Sequence, residues 1–294
     1  MLTVDFDKLD INEGDLVLDM GAGAGRHSFE CFRQGAQVVS LDYDFDELPE
    51  VRNIFWAMQD AGEAPTDCLG ACLNGDALNL PFADNTFDYA ICSEVFEHIS
   101  GDTEAMAELF RVIKPDGLLA ATVPAWLPEK ICWALSAEYH APLSQGGHVR
   151  IYTENQFRGR LETAGFSAEA SQRAHALHAP YWWLKCFVGP TNDGNPIVQA
   201  YHDLLVWDMV EAPTITRTAE AVLNPLLGKS VVVYARKPAT AAASVQPKSP
   251  QRKKAAKKKA IAKKTAAKKT TPKKSASKKA PGKKAAKKRA PSRG

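Results

Sequence analysis

No stretch of the 294 residues is apolar for anything near 18 positions, so no membrane-spanning helix is expected. Met1 to Asp10 is acidic and lacks the basic-then-apolar order of an export signal, which makes a cytoplasmic protein the expectation. Six cysteines (Cys31, Cys68, Cys72, Cys92, Cys132 and Cys186) include no Cys-x-x-Cys pair, and several lie in apolar runs. Buried reduced thiols are expected from them, and a structural zinc site is not. The most uneven absence is that of negative charge. Residues 248–294 contain no acid and no aromatic residue but 21 Lys and Arg. Of the 37 basic and 34 acidic residues, the first 247 positions therefore hold 16 and 34, a charge of −18 beside a tail of +21. Such a tail cannot bury a core and is expected to be disordered. The composition predicts a folded domain over 1–237, a linker over 238–250 and a basic tail over 251–294.

What is present begins with Val17-Leu18-Asp19-Met20-Gly21-Ala22-Gly23-Ala24-Gly25-Arg26. The apolar run ending at Leu18 reads as a buried parallel strand, and the alternating glycines allow positive φ and let a ligand lie against bare backbone. Turns of this kind serve dinucleotides, phosphates and S-adenosylmethionine alike. Three details bear on the choice. Asp19 precedes the first glycine, where it would repel a pyrophosphate and attract a cation. Arg26 stands where a G-x-G-x-x-G motif has its last glycine. A second strand, Gln37 to Leu41, ends in Asp42, about 20 residues on, where a carboxylate can accept the hydroxyls of a ribose.

With these residues the sequence resembles the class I S-adenosylmethionine-dependent methyltransferases, in particular their type 11 subgroup. Their acid-x-Gly-x-Gly-x-Gly motif is met by Asp19, Gly21, Gly23 and Gly25, and their ribose acid falls on Asp42. The resemblance implies a Rossmann-like, doubly wound seven-stranded α/β sheet with an antiparallel last strand, and S-adenosylmethionine as cofactor. It also carries adenine contacts onto Asp76 and Ala77, in the polar turn after a third strand read at Leu69 to Leu73; a plain Asx turn is the alternative there. Leu80-Pro81-Phe82 followed by Phe87-Asp88 is similarly family-like. The chain lacks the Asn/Asp-Pro-Pro-Tyr/Phe of DNA amino-methyltransferases and the Pro-Cys of cytosine-C5 enzymes, so base methylation by those routes is not expected.

In place of those motifs stands Ser93-Glu94-Val95-Phe96-Glu97-His98. A helical backbone here would put Glu94, Glu97 and His98 on one face, at i, i+3 and i+4. The pattern resembles the metal-binding segment of quinone-biosynthesis and small-RNA methyltransferases, which implies a divalent ion such as Mg²⁺ on these three residues. Loop ordering or proton transfer without metal is the other reading. His98, His148 and Glu94 are the candidate catalytic groups. Helices are read at Arg26–Arg33, at 48–61, from a cap at Asp102 or Thr103, and from a Thr153-x-x-Gln156 capping box.

Two insertions, about 124–150 and 175–227, interrupt the pattern and are rich in aromatic residues, among them Trp126, Trp133, Tyr139, His140, Tyr181, Trp182, Trp183, Tyr201 and Trp207. They predict an aromatic helical cap, either a small core of its own or an apolar substrate lid. Together these features favour methyl transfer to a small or lipid-like apolar acceptor, at oxygen. The alternatives are a nucleic-acid or nucleoid-associated methyltransferase recruited through tail residues 248–294, or a non-catalytic nucleoid-binding protein. The tail itself resembles the Lys/Ala-rich tails of linker histones, in composition alone.

Overall fold

The structure, a computed structural model, describes residues 1–139 and 147–239. His140, Gly146 and the basic tail lie outside the described residues. Seven strands form one sheet: β1 (Leu16–Met20), β2 (Gln37–Asp42), β3 (Gly70–Asn74), β4 (Phe87–Ser93), β5 (Ile113–Pro124), β6 (Ser167–Ala174) and β7 (Ser230–Arg236). Their order is β3-β2-β1-β4-β5-β7-β6. β1 to β5 run parallel, and β7 is antiparallel to both β5 and β6. This is the expected Rossmann-like arrangement. The strand order reverses direction at β1, and the crevice above its carboxyl end is where such sheets bind ligands.

Alternation along the strands builds two apolar layers. Leu18, Met20 and Leu41 face the layer that contains Phe87, Met106, Leu109 and Phe157. Val17 and Val38 face the other, with Phe32, Phe55 and Met58. The helices covering these faces are α1 (Arg26–Arg33) and α2 (Leu48–Asp60) on one side and α3 (Asp102–Val112) and α5 (Glu154–Thr163) on the other. At α5 the capping box is formed: Gln156 N–H donates to Thr153 Oγ1 at 3.3 Å, and Gln156 Oε1 accepts from Thr153 N–H at 3.0 Å.

Three local readings differ from the structure. β3 begins at Gly70, leaving Leu69 outside the strand at 72% exposure. The apolar run Leu118 to Val123 predicts the fifth strand, but β5 starts at Ile113, because Ile113 already pairs with Phe87 before the register jumps across Lys114 to Gly117. α3 is capped by Gly101, and Asp102 is instead buried. Its carboxylate accepts from Tyr152 Oη at 2.6 Å and pairs with Arg150 and Arg160. Burial alone would push that carboxyl up, but hydrogen bonds from Arg150 and Tyr152 outweigh it and hold it below its ordinary value.

The first insertion supplies α4 (Trp126–Leu135) and returns beside its starting point, where Ala125 and Tyr152 form a parallel bridge. The second supplies α6 (His178–Val188), α7 (Pro196–Glu211) and α8 (Thr214–Leu227). α6 packs on α4 and on α7. Its aromatic residues divide between the two expected roles. Trp183 donates Nε1–H to Pro128 O at 3.1 Å and fastens α6 to α4, whereas Trp182 lines a cavity. No helix among the described residues is long and apolar enough to cross a membrane, and the six cysteines are free thiols.

Candidate active site

Between β1 and α1 the chain turns with φ of +76° at Gly21, +50° at Gly23 and +80° at Gly25. A side chain at Gly21 would place its Cβ 2.2 Å from Val95 Cγ2. The N–H groups of Gly21 and Ala22 both donate to Leu41 O, at 2.8 and 3.1 Å, which draws the turn onto the end of β2.

Asp19 lies beneath this turn and is 1% exposed. Ser28 Oγ donates to its Oδ2 at 2.6 Å, and Ser40 Oγ donates to Ser28 Oγ at 2.7 Å. Burial pushes the Asp19 carboxyl up to about 6, against the Ser28 hydrogen bond and the Arg26 charge. Asp19 is therefore withdrawn from direct contact with any ligand and seats α1 through Ser28.

At the end of β2, Asp42 Oδ2 accepts from Gly23 N–H at 2.8 Å, and Oδ1 accepts from Asp44 N–H at 2.9 Å. The ribose acid of the sequence reading is thus held against the glycine turn. Tyr43 beside it is 81% exposed. Asp76 forms the Asx turn, its Oδ1 accepting from Leu78 N–H at 2.9 Å, and Ala77 packs against the core. Asp19, Gly21, Gly23, Gly25 and Asp42 are brought together; Asp76 and Ala77 follow the neighbouring edge strand β3.

After β4 the backbone is not helical. Glu94 has φ +58°, and this left-handed residue breaks the expected i, i+3, i+4 face. Glu94 turns toward β5, where Thr122 Oγ1 donates to its Oε1 at 2.8 Å. Glu97 turns inward and is fully buried; neither of its carboxyl oxygens has a hydrogen bond among the described residues. Burial, reinforced by the Glu94 charge, holds Glu97 well above the ordinary carboxyl range. The groups that share one ion-sized space are Glu97, His98 and His148, with Glu94 outside the set.

His148 also brings in a residue that sequence reasoning missed. Its Nδ1 is hydrogen-bonded to Glu129 Oε1, on α4. Glu129 is 1% exposed and accepts from Trp133 Nε1–H at 2.9 Å. Burial would raise the Glu129 carboxyl, but His148 more than offsets this and leaves it lowered. The His98 and His148 rings stand edge to face at 4.9 Å. A buried carboxylate on Nδ1 favours the tautomer that leaves Nε2 with its lone pair, the arrangement in which a histidine can accept a proton.

A cavity of about 200 Å³ joins the glycine turn to the cap. Arg26 and Glu94 form one wall; Trp182, His175, His178 and Lys229 form the other, with Met1, Thr3 and Ser230 at the margin. Lys229 Nζ lies 5.3 Å from the Trp182 ring centre.

Residues 18–121, from β1 through most of β5, match the family profile described as the methyltransferase domain. Over that stretch the chain is similar to a methyltransferase domain. The chain is 36% identical over 120 residues to a demethylmenaquinone methyltransferase of Thermobifida fusca, covering 41% of this chain and 48% of that one. It is 37% identical over 112 residues to the protein of the same name from Corynebacterium kroppenstedtii, covering 38% and 43%. It is 31% identical over 114 residues to an uncharacterized methyltransferase of Mycobacterium tuberculosis, covering 39% and 41%. The matched region spans less than half the length of each of these relatives. Among solved structures, a putative methyltransferase from Bacillus halodurans has the same fold, with a TM-score of 0.52, 19% identity, and coverage of 79% of this chain and 96% of that one. The sequence similarity thus falls on the part of the sheet from β1 to β5. The cap that builds the far wall of the cavity lies beyond the family match.

Proposed function

We propose that this protein moves the methyl group of S-adenosylmethionine to an oxygen of a small, lipid-like apolar acceptor. A quinone-type ring is the acceptor class suggested by the relatives named demethylmenaquinone methyltransferase. The observation that carries the proposal is the cavity bounded by Arg26 of the glycine turn on one side and Trp182 of the cap on the other.

The turn fits the cofactor. A Cβ at Gly23 would meet nothing nearer than Glu47 Oε2 at 3.6 Å, so bare backbone is open there, and Asp42 stands beside it. Gly21, Gly23 and Asp42 would hold the nucleoside end, with Asp76 and Ala77 toward the base. The cofactor supplies a methyl group already activated as part of a sulfonium. The protein's task is then alignment, exclusion of water and, for a hydroxyl acceptor, removal of a proton. Trp182 supplies an apolar face to a wall otherwise made by His175, His178 and Lys229. His148, held by Glu129, is the proton acceptor of this reading, with His98 against its ring and Glu94 on the cavity wall. A divalent ion at Glu97, His98 and His148 is not required by this scheme.

The test is transfer of label from methyl-labelled S-adenosylmethionine into the organic phase when the full-length protein is supplied with hydroxylated quinone-type lipids. Label confined to nuclease-sensitive material would overturn this reading. It would favour a nucleic-acid enzyme recruited by its tail, a role suggested by the 21 positive charges at 248–294.

A further inference from the structure

Three side chains from separate parts of the second insertion converge at the margin of the cavity. His175 follows the end of β6, His178 opens α6, and Glu220 lies in α8. One ligand atom from each falls within 4.8 Å of the others. His175 Nδ1 is 3.9 Å from Glu220 Oε1, and the two imidazole rings are 5.5 Å apart. The cluster is not a closed hydrogen-bond network. His178 Nδ1 and Glu220 Oε1 are buried, and neither has a hydrogen-bond partner among the described residues. Glu220 as a whole is 8% exposed. Buried polar atoms left without partners are costly, so two of them in one cluster call for an occupant.

The opposite sides of these groups are already engaged. His175 Nε2 lies 3.2 Å from Thr3 Oγ1, and Glu220 Oε2 is 3.5 Å from Arg217 Nη1. With the Nε2 proton given to Thr3, His175 presents its Nδ1 lone pair to the cluster. Outer partners of this kind orient metal-binding histidines and carboxylates. Arg217 also pairs with the buried Asp208, so that carboxylate's charge is already met.

We propose that His175, His178 and Glu220 form a binding site for a divalent ion of the zinc class. Two imidazoles and one carboxylate suit Zn²⁺ or Co²⁺ and not Mg²⁺ or Ca²⁺, which prefer oxygen donors. Ligand atoms about 2.0 Å from a tetrahedral ion stand roughly 3.3 Å apart, so rotation of the three side chains closes the present separation. Both imidazoles line the cavity, which leaves the fourth position to water or a small ligand there. The ion would tie the end of β6 to α6 and α8.

Co²⁺ titration of the full-length, EDTA-stripped protein, followed by its visible absorption and by Zn²⁺ competition, tests the site. The tail is no competitor, since residues 248–294 contain no His, Cys, Asp or Glu. The expected result is one equivalent bound here, weakened at least tenfold by His178→Ala and by Glu220→Gln, and retained in Glu97→Gln. Zn²⁺ should also raise the thermal midpoint of the unaltered protein and not that of Glu220→Gln. Should His178→Ala fail to fold, Glu220→Gln, which keeps the side-chain size, decides alone. Absence of saturable binding near equimolar metal overturns the proposal. So does binding that survives both cap variants and disappears in Glu97→Gln or His148→Ala.

Discussion

Replacing Gly21 by alanine sets two separable costs on one atom. At φ +76° an L-residue is in the left-handed region, which costs about 1–2 kcal/mol. The new methyl group would also fall 2.2 Å from Val95 Cγ2. Val95 cannot swing aside freely: it is β-branched, its carbonyl accepts from His98 N–H at 3.0 Å, and the preceding Glu94 N–H donates to Thr122 O at 3.1 Å. Relief therefore displaces the whole segment after β4, an overpacking cost of about 1–3 kcal/mol. Gly21→Ala should lose about 2–5 kcal/mol in all, a large part of an ordinary domain's stability. Urea unfolding followed by circular dichroism measures this, and Val95→Ala completes a double-mutant cycle. The double variant should be less destabilised than the sum of the single ones by about 1–3 kcal/mol, the steric share, leaving the backbone share behind. Additivity within about 0.5 kcal/mol would show that Val95 does not sit over Gly21, and the reasoning would fail.

Asp42→Ala should weaken S-adenosylmethionine binding by about 1.5–3 kcal/mol per charged hydrogen bond lost; unchanged affinity by calorimetry would remove Asp42 from the site. Glu129→Gln should lower kcat by about 10²-fold with KM little changed and shift the pH-rate profile, since Glu129 acts through His148; a fall in thermal stability alone would mark it as structural. His27 accepts from Thr3 N–H at 3.2 Å, and burial, with the Arg26 charge, lowers it to about 3. The folded protein then binds fewer protons than the unfolded chain between pH 6.5 and 3. Its contribution is complete above 6.5 and falls by about 2 kcal/mol by pH 5. His27→Gln should flatten that part of the acid limb, and an unaltered slope would refute the assignment. Truncation after Pro247 should abolish salt-sensitive retention on duplex DNA, whose log–log slope should be near −0.9 per phosphate contacted; equal retention by both forms would rule out the tail as the binding arm.

The glycine turn and the strands around it were legible because their signals are local. Alternating glycines after an apolar run, an acid at the next strand's end and the Thr153–Gln156 box each act within a few residues of themselves. The side of the fold built by the insertions depends on contacts that no short window contains. Glu129 meets His148 across 19 residues, and His175 meets Glu220 across 45. The single left-handed residue at Glu94 was also invisible, since its sequence fits a helical turn as well as a kinked one. Asp102 looked like a helix cap because caps favour aspartate, yet two arginines and a tyrosine, 48 to 58 positions further on, draw it inward.

The bonds from Asp102 to Arg150, Tyr152 and Arg160 make the first insertion a detachable part. Ala125 and Tyr152 already stand side by side, and Val149 N–H donates to Glu97 O at 2.8 Å, so the exit and return of the insertion are fixed by groups belonging to the sheet. Between fixed ends, doubling a loop's length costs only about 0.6 kcal/mol in closure entropy. Segments of quite different length and composition can therefore be exchanged between residues 125 and 149 while the glycine turn keeps its shape. Such an exchange would carry Glu129 and His148 with it, while the cavity wall of His175, His178 and Trp182 stays in place.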